Sequence, residues 1–218
     1  MKKFLIAAAA VIFFQAQAQQ TGNGVGDGMI RYGITAKVHS SNISNIHDRS
    51  KPRIAGSAGG FIEIPFAQRV ASSSFLVAQA EYSMEGEKSE MGDSKQEFNH
   101  DYVNVMFIIK HFFSSKDANV EPKIFAFIGP KFAINVAEQT KGEIPFVSDL
   151  NAQANFKTFN FGMTLGAGYR INRNIEAFVR GDYGFSNVYD RPKSIYSTVK
   201  PKGTSPYQLG AGLNYIFN

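Results

Sequence analysis

The sequence predicts an all-β protein, an eight-stranded antiparallel up-and-down transmembrane β-barrel. Three observations predict it: apolar and polar residues alternate with a period of two, the alternating segments are long, and the connections between them alternate in length. The clearest segment is 157–171, KTFNFGMTLGAGYRI, in which the odd positions from Phe159 onward are apolar and the even positions are small or polar. Successive strand side chains point to opposite faces, so this strand meets two environments. A transmembrane strand needs about 9–11 residues, whereas strands of soluble proteins have about 5–6.

The N-terminus has the pattern of a secretory signal peptide. Lys2 and Lys3 supply a positive region, residues 4–14 an apolar core, and residues 16–18 (Ala-Gln-Ala) a cleavage site. The alternative is a retained anchor, but this core is too short, because a membrane-spanning helix takes about 20 residues. We therefore predict export to the outer membrane. The predicted parts are a signal peptide at 1–18, a flexible Gly-rich leader at 19–28 and a barrel domain at 29–218.

Composition agrees with a barrel and excludes several other classes. The chain is 44% hydrophobic, and no segment after the N-terminus has the continuous apolar length of a membrane helix. A barrel carries its lipid-facing residues in alternate positions, so the chain as a whole need not be strongly apolar. Loss of Lys2 and Lys3 lowers the formal net charge from +5 to +3, which gives no reason to expect nucleic acid as a partner. The absence of Cys excludes a disulfide framework and a thiolate metal site.

The alternation marks eight strands, the smallest number common in membrane barrels. The loops after the first, third, fifth and seventh strands (40–52, 87–100, 137–155 and 189–204) are longer than the connections at the other end. This arrangement is typical of outer-membrane barrels, so we place the long loops outside the cell and both termini in the periplasm. Pro130 lacks a ladder hydrogen bond and predicts a bulge in the fifth strand. The predicted strands cover residues 29–39, 53–64, 74–86, 101–112, 123–136, 157–171, 175–188 and 205–217.

The period alone does not say which face is inside. A soluble lipocalin-like barrel has the same alternation with its apolar side chains around a ligand. Charges on the polar parity favour the membrane version, since a charge facing lipid costs roughly 2–4 kcal/mol near the midplane. Aromatic residues near the strand ends and the strand lengths agree with it. We expect the inward charges to pair as a structural network that holds the strand register. This network consists of Glu81, Lys131, Arg170, Arg180 and Asp182.

Some apolar residues break the pattern by lying on the inward parity. In the predicted topology all of them sit toward the periplasmic end, below the charges. Since an eight-stranded barrel is about wide enough for side chains to fill, we expect an apolar plug and no through-pore. The plug residues are Phe61, Phe75, Phe112, Phe125, Phe127, Phe178 and Ile216.

The last strand has a pattern of its own. Gly212, Tyr215 and Phe217 fit the Gly-x-x-aromatic-x-aromatic signal that barrel-assembly machinery reads, although Asn218 follows the final aromatic residue. We therefore expect this machinery to be a partner during insertion.

No residue pattern indicates catalysis or metal binding. The histidines His39, His47, His100 and His111 are scattered and lack metal-ligand spacing. The Gly-rich segment 22–28 precedes a strand instead of linking a strand to a helix, so it does not fit a phosphate-binding loop. We expect no enzyme activity, no metal and no cofactor.

Six segments carry a resemblance to a known family. They are residues 34–38, AGGFIEIPFAQ at 58–68, LVAQAEYSMEG at 76–86, IFAFIGPKFAINV at 124–136, FNFGMTLGAGYRI at 159–171 and the terminal LGAGLNYIF. In these the chain resembles the PorT-like outer-membrane β-barrels typical of Bacteroidota, and it shares much with OmpX- and OmpA-like barrels. The resemblance covers nearly the whole chain after the leader. It implies an outer-membrane barrel and brings no catalytic residues.

The sequence therefore predicts an integral outer-membrane barrel, closed, with a structural role or a surface-interaction role through its long loops. Two alternatives stay open at this point: a small passive porin and a soluble periplasmic lipocalin-like binder. The expected partners are outer-membrane lipids and an envelope or surface molecule that meets the four long loops.

Overall fold

The computed structural model describes residues 30–43, 50–66, 74–91, 94–113, 123–141, 157–188 and 205–217. In these residues eight antiparallel strands form a closed barrel in chain order, so the predicted fold class and strand number are confirmed. None of the described residues forms a helix long and apolar enough to cross a membrane. The strands are β1 (Arg31–Ile43), β2 (Ser50–Pro65), β3 (Ser74–Met91), β4 (Ser94–Phe112), β5 (Ile124–Lys141), β6 (Phe159–Arg170), β7 (Ile175–Gly184) and β8 (Pro206–Phe217).

The apolar parity of each strand faces outward and the polar parity faces the lumen. Leu165, Val179 and Leu209 are 55%, 56% and 67% exposed, whereas Arg180 and Asp182, which neighbour Val179 along β7, are buried. Such an outer surface suits lipid and not water. The lipocalin-like alternative is therefore excluded, because its apolar side chains would line the lumen.

We call the two rims the turn end (connections 66–73, 113–123 and 171–174) and the loop end (44–49, 92–93, 142–158 and 185–205). The predicted loop 87–100 is wrong: β3 continues to Met91 and β4 starts at Ser94, so only residues 92–93 connect them. Beyond the membrane both strand faces meet polar surroundings, so the alternation that marks a strand disappears while backbone pairing continues.

The same reason explains smaller errors in the predicted boundaries. All described residues of the predicted loop 40–52 belong to β1 and β2, which reach Ile43 and start at Ser50. Strand β5 runs into the predicted loop 137–155 as far as Lys141. Strand β7, in contrast, ends at Gly184, before the predicted residue 188. The signal peptide, the leader and the whole of the loop 189–204 lie outside the described residues and stay predictions.

The bulge predicted at Pro130 is wrong. The β4–β5 register is the same on both sides of this residue, as the pairs Met106↔Lys131 and Ile109↔Ile128 show. The β4–β5 ladder is therefore interrupted at Pro130, which has no N–H, but neither strand has an extra residue there. Irregularities occur instead near the loop end, between Pro52 and Ser57 in the β2–β3 pair and at Asp101/Tyr102 in the β4–β5 pair.

Inward glycines make room for inward phenylalanine rings. A Cβ at Gly33, Gly166, Gly168 or Gly212 would overlap the Cζ atom of a phenylalanine on the neighbouring strand. The ring covers the glycine directly opposite it, a device known to support β-sheet glycines. The four directly opposed pairs are Gly33↔Phe61, Gly166↔Phe127, Gly168↔Phe125 and Gly212↔Phe178.

This packing predicts that Gly166→Ala destabilises the barrel by about 1–3 kcal/mol, the usual cost of overpacking. The new Cβ would overlap both the Phe127 ring and the Val179 carbonyl oxygen. Gly181→Ala is the matched control, since the nearest atom to its Cβ would be the Gln208 carbonyl oxygen at 3.8 Å. Urea unfolding in detergent micelles measures both variants. Equal stability of the two would contradict the packing argument.

Candidate functional site

The lumen holds two groups of ion-paired side chains. The first, here the loop-end cluster, consists of Lys37, Glu81, Glu85, Lys131, Arg180 and Asp182. The second, here the turn-end cluster, consists of Arg31, Glu63, Lys110, Arg170 and Glu176.

Arg180 lies at the centre of the loop-end cluster. Its Nη2 is 2.5 Å from Glu81 Oε1, and its Nε is 3.1 Å from Asp182 Oδ1. Asp182 also lies 3.0 Å from Lys37 Nζ and accepts a hydrogen bond of 2.7 Å from Thr164 Oγ1. All five side chains are buried. Buried charges are tolerated only when they are paired and hydrogen-bonded in this way.

The remaining members of the loop-end cluster are held more loosely. Lys131 Nζ lies 3.4 Å from Glu85 Oε1 and 3.7 Å from Asp182 Oδ2. Asn104 Nδ2 donates to Glu81 Oε1 at 3.3 Å and to Glu85 Oε1 at 3.4 Å. The six members of the cluster therefore join four strands, β1, β3, β5 and β7, across the lumen, and Asn104 connects them to β4.

Lys110 lies at the centre of the turn-end cluster and links two carboxylates across the lumen. Its Nζ is 2.6 Å from Glu63 Oε1 and 2.5 Å from Glu176 Oε2. Each carboxylate has an arginine on its other side: Arg31 Nη2 lies 2.5 Å from Glu63 Oε2, and Arg170 Nη2 lies 3.0 Å from Glu176 Oε1. The result is a row of alternating charges.

Apolar side chains fill the lumen between the two clusters and also surround the turn-end cluster. On β4, Lys110 lies between Ile108 and Phe112. On β7, Phe178 lies between Glu176 of the turn-end cluster and Arg180 of the loop-end cluster. A cavity of about 30 Å³ remains here, and another of about 10 Å³ lies beside Lys131. The apolar groups are Phe61, Val77, Met106, Ile108 and Ile216, and Phe112, Phe125 and Phe178, with Phe75 and Phe127 packed against both.

All seven residues of the predicted plug therefore lie in this apolar layer, and sequence reasoning missed Val77, Met106 and Ile108. The predicted position of the charges is incomplete, because the turn-end cluster lies among these apolar residues and at their turn-end side. The three missed residues stand on the inward parity, so the alternation of apolar and polar positions already assigns them to the lumen.

The structure brings together four of the five residues predicted for the charge network. Glu81, Lys131, Arg180 and Asp182 belong to the loop-end cluster, whereas Arg170 belongs to the turn-end cluster. Sequence reasoning missed the other charged members. The register shows only part of their pairing, since it sets Arg31 opposite Glu63 and Arg170 opposite Glu176. The missed members are Arg31, Lys37, Glu63, Glu85, Lys110 and Glu176.

The other predicted sites lie on the barrel wall. Gly212 faces the lumen, while the Tyr215 and Phe217 rings face outward with centroids 5.5 Å apart. Their role in assembly stays a prediction. Within the described residues no group of three or more His, Asp or Glu side chains is placed to hold a metal ion. His47 lies outside those residues.

Comparison with known families now adds to the geometry. Residues 15–190 match the family model described as outer membrane protein beta-barrel domain. The chain belongs to this family. It is thus an outer-membrane eight-stranded β-barrel, in agreement with its apolar outer surface. No curated protein matches the chain.

Three solved structures are similar to this member of the family. Neisserial surface protein A has 10% identity and a TM-score of 0.47, covering 88% of this chain and 99% of its own. OprG from Pseudomonas aeruginosa has 14% identity and a TM-score of 0.45, covering 90% and 98%. Ail of Yersinia pestis, in complex with the heparin analogue sucrose octasulfate, has 9% identity and a TM-score of 0.40, covering 86% and 99%.

Proposed function

We propose that this outer-membrane barrel is closed to solutes and has a structural or surface-interaction role at its loop end, which faces outside the cell. The observation that carries the proposal is the filled lumen. The loop-end cluster, and below it the apolar side chains with the turn-end cluster among them, occupy the lumen along the barrel axis and leave no continuous path.

The size of the cavities supports closure. The larger of the two, about 30 Å³, has room for only one or two water molecules. A passive porin needs a continuous aqueous channel, which is found in barrels of more strands. Opening this lumen would break buried ion pairs of both clusters, and isolated buried charges are costly.

A raised sheet at the loop end supports the surface role. The pairing of β5 with β6 ends at Ile134↔Phe159, but β3, β4 and β5 remain paired with one another beyond this level. The hairpin of β3 and β4 carries an exposed ion pair of 2.8 Å between Lys88 and Glu97. On β5, partial burial raises the pKa of Glu138, although a hydrogen bond from Asn135 opposes the shift. Such a polar surface on paired strands suits recognition outside the membrane.

The finer features of the sequence prediction belong to the same proposal. They are the signal peptide at 1–18, membership of the PorT-like group, the absence of catalysis, and partners among outer-membrane lipids, the assembly machinery and an envelope or surface molecule. The loops 40–52, 87–100, 137–155 and 189–204 are the regions proposed to meet that molecule. The segment 87–100 contains the hairpin of β3 and β4.

Closure predicts that the purified barrel gives no stable conductance in planar bilayers, because the lumen lacks a water-filled path. A porin reconstituted in the same membrane is the control for detection. Swelling of vesicles in small sugars gives a second readout, expected to equal that of protein-free vesicles. Reproducible conductance steps or sugar uptake would contradict closure and favour the passive porin.

A shortened hairpin tests the surface role separately. Glu87 pairs with Phe98, so residues 88–97 can be replaced by Asn-Gly, a two-residue hairpin turn, without changing the register below them. We expect this variant to keep heat-modifiable gel mobility and to lose attachment of cells to glycan-coated or lipopolysaccharide-coated surfaces. Unchanged attachment would contradict a role for this hairpin.

A further inference from the structure

The turn-end cluster begins and ends with a cation. Along the row Arg31, Glu63, Lys110, Glu176 and Arg170, three positive groups face two carboxylates. The loop-end cluster is balanced, since Lys37, Lys131 and Arg180 face Glu81, Glu85 and Asp182. Among the described residues the turn-end cluster therefore has an excess of one positive charge.

The excess charge is located at the two arginines, which are also the accessible members. The side chains of Arg31 and Arg170 are 22% and 14% exposed, whereas Glu63, Lys110 and Glu176 are buried. Arg31 is the first residue of β1 and Arg170 the last of β6, so both stand at the turn end.

A pair of aromatic rings links the two guanidinium groups although their strands are not neighbours. Arg31 Cζ lies 4.3 Å from the centroid of the Phe75 ring, and Arg170 Cζ lies 4.0 Å from that of Phe112. These rings belong to adjacent strands β3 and β4 and pack edge to face, with centroids 5.9 Å apart. Both guanidinium groups are thus held against one pair of aromatic rings.

The guanidinium groups of Arg31 and Arg170 can donate further hydrogen bonds. Arg31 donates to Glu63 through Nη2, and its buried Nε has no partner. Arg170 uses Nε and Nη2 on a single oxygen, Glu176 Oε1, at 3.2 and 3.0 Å. A planar guanidinium with free N–H groups suits a carboxylate or a phosphate, which it can bind with two parallel hydrogen bonds.

We propose that Arg31 and Arg170 form a binding site for a single phosphate or carboxylate group that enters from the turn end. The anion neutralises the excess charge and receives hydrogen bonds from both guanidinium groups, while the rings of Phe75 and Phe112 form the floor. In the proposed orientation the site faces the periplasm. Its anion comes either from a phospholipid headgroup or from a soluble molecule.

Titration with inorganic phosphate at constant ionic strength tests this site, with the refolded full barrel in neutral detergent micelles. Broadening of the phosphorus NMR signal and calorimetry measure binding. We expect Arg31→Gln and Arg170→Gln each to weaken binding at least tenfold. Arg173→Gln is the matched control, because Arg173 is an exposed arginine at the same end, and it should leave binding unchanged. If Arg31→Gln fails to fold, Arg31→Lys replaces it as the test variant, because lysine keeps the charge and the pairing with Glu63.

Vesicles separate the two sources of the anion. Binding of phosphate in micelles and in phosphatidylcholine vesicles identifies a soluble anion as the ligand. If free phosphate does not bind, we compare the stability of the barrel with and without phosphatidylglycerol vesicles. Stabilisation that is lost in Arg31→Gln and Arg170→Gln but kept in Arg173→Gln identifies a lipid headgroup as the ligand. Failure of both probes, or equal effects of all three variants, would overturn the site.

Discussion

Replacement of Arg180 by methionine is expected to lower the free energy of unfolding by about 3–5 kcal/mol, the usual cost of removing one partner from a buried ion pair. Arg180 pairs with Glu81 and Asp182, and both carboxylates are buried. Lys37 and Lys131 remain near Asp182, whereas Glu81 loses its main partner and, among the described residues, keeps amide hydrogen bonds from Gln79 and Asn104. Methionine fills most of the volume of the arginine side chain, so the loss of stability reflects the missing charge more than missing packing contacts.

Urea unfolding, followed by heat-modifiable gel mobility, measures this loss. Lys88→Met is the matched control: its ion pair with Glu97 is exposed, and such pairs contribute about 0–1 kcal/mol. The double variant Arg180→Met, Glu81→Gln should recover part of the stability, because it removes the carboxylate that Arg180 had paired. If the double variant is as unstable as the sum of both single variants, Arg180 and Glu81 are not coupled, and the argument fails.

The same pair explains how far the sequence predicts the site. Period two assigns Glu81, Arg180 and Asp182 to the lumen, because a charge on the lipid face is too costly. It does not say which charges meet, since partners depend on register and on the height of each residue along the barrel. The pattern therefore groups Arg170 with Glu81 in one network, although Arg170 stands near the opposite end of the apolar layer. Lys110 reaches Glu63 and Glu176 on strands that are not its neighbours, which no local pattern indicates.

The sequence predicts the fold well within the membrane and poorly outside it. Alternation of apolar and polar side chains requires two different solvents, and the lipid provides one of them for about 9–11 residues of each strand. Beyond the membrane the hairpin of β3 and β4 has polar residues on both faces, as Glu87 inside and Lys88 outside show. Backbone pairing continues there without a sequence signal, so residues 87–100 have the composition of a loop. Sequence reasoning misses the raised sheet for this reason.

Phe125→Ala tests the apolar layer and is expected to lower the free energy of unfolding by about 3–5 kcal/mol, as other phenylalanine truncations in cores do. The ring is buried, lies 5.1 Å from the ring of Phe112 between centroids, and covers Gly168. Lys110 Nζ lies 4.5 Å above it, so the variant also loses a cation–π contact. The residue directly opposite on β6 cannot fill the space, because that position is the glycine.

Phe185→Ala is the control for this variant, since Phe185 stands on the outer surface of the barrel and is 52% exposed. We expect its loss of stability to be less than half that of Phe125→Ala. Conductance gives a second, independent readout. Both ion clusters remain in Phe125→Ala, so the barrel should stay closed even though it is less stable. A variant that conducts would show that the aromatic layer alone closes the lumen, and the ion clusters would then serve stability without sealing the barrel.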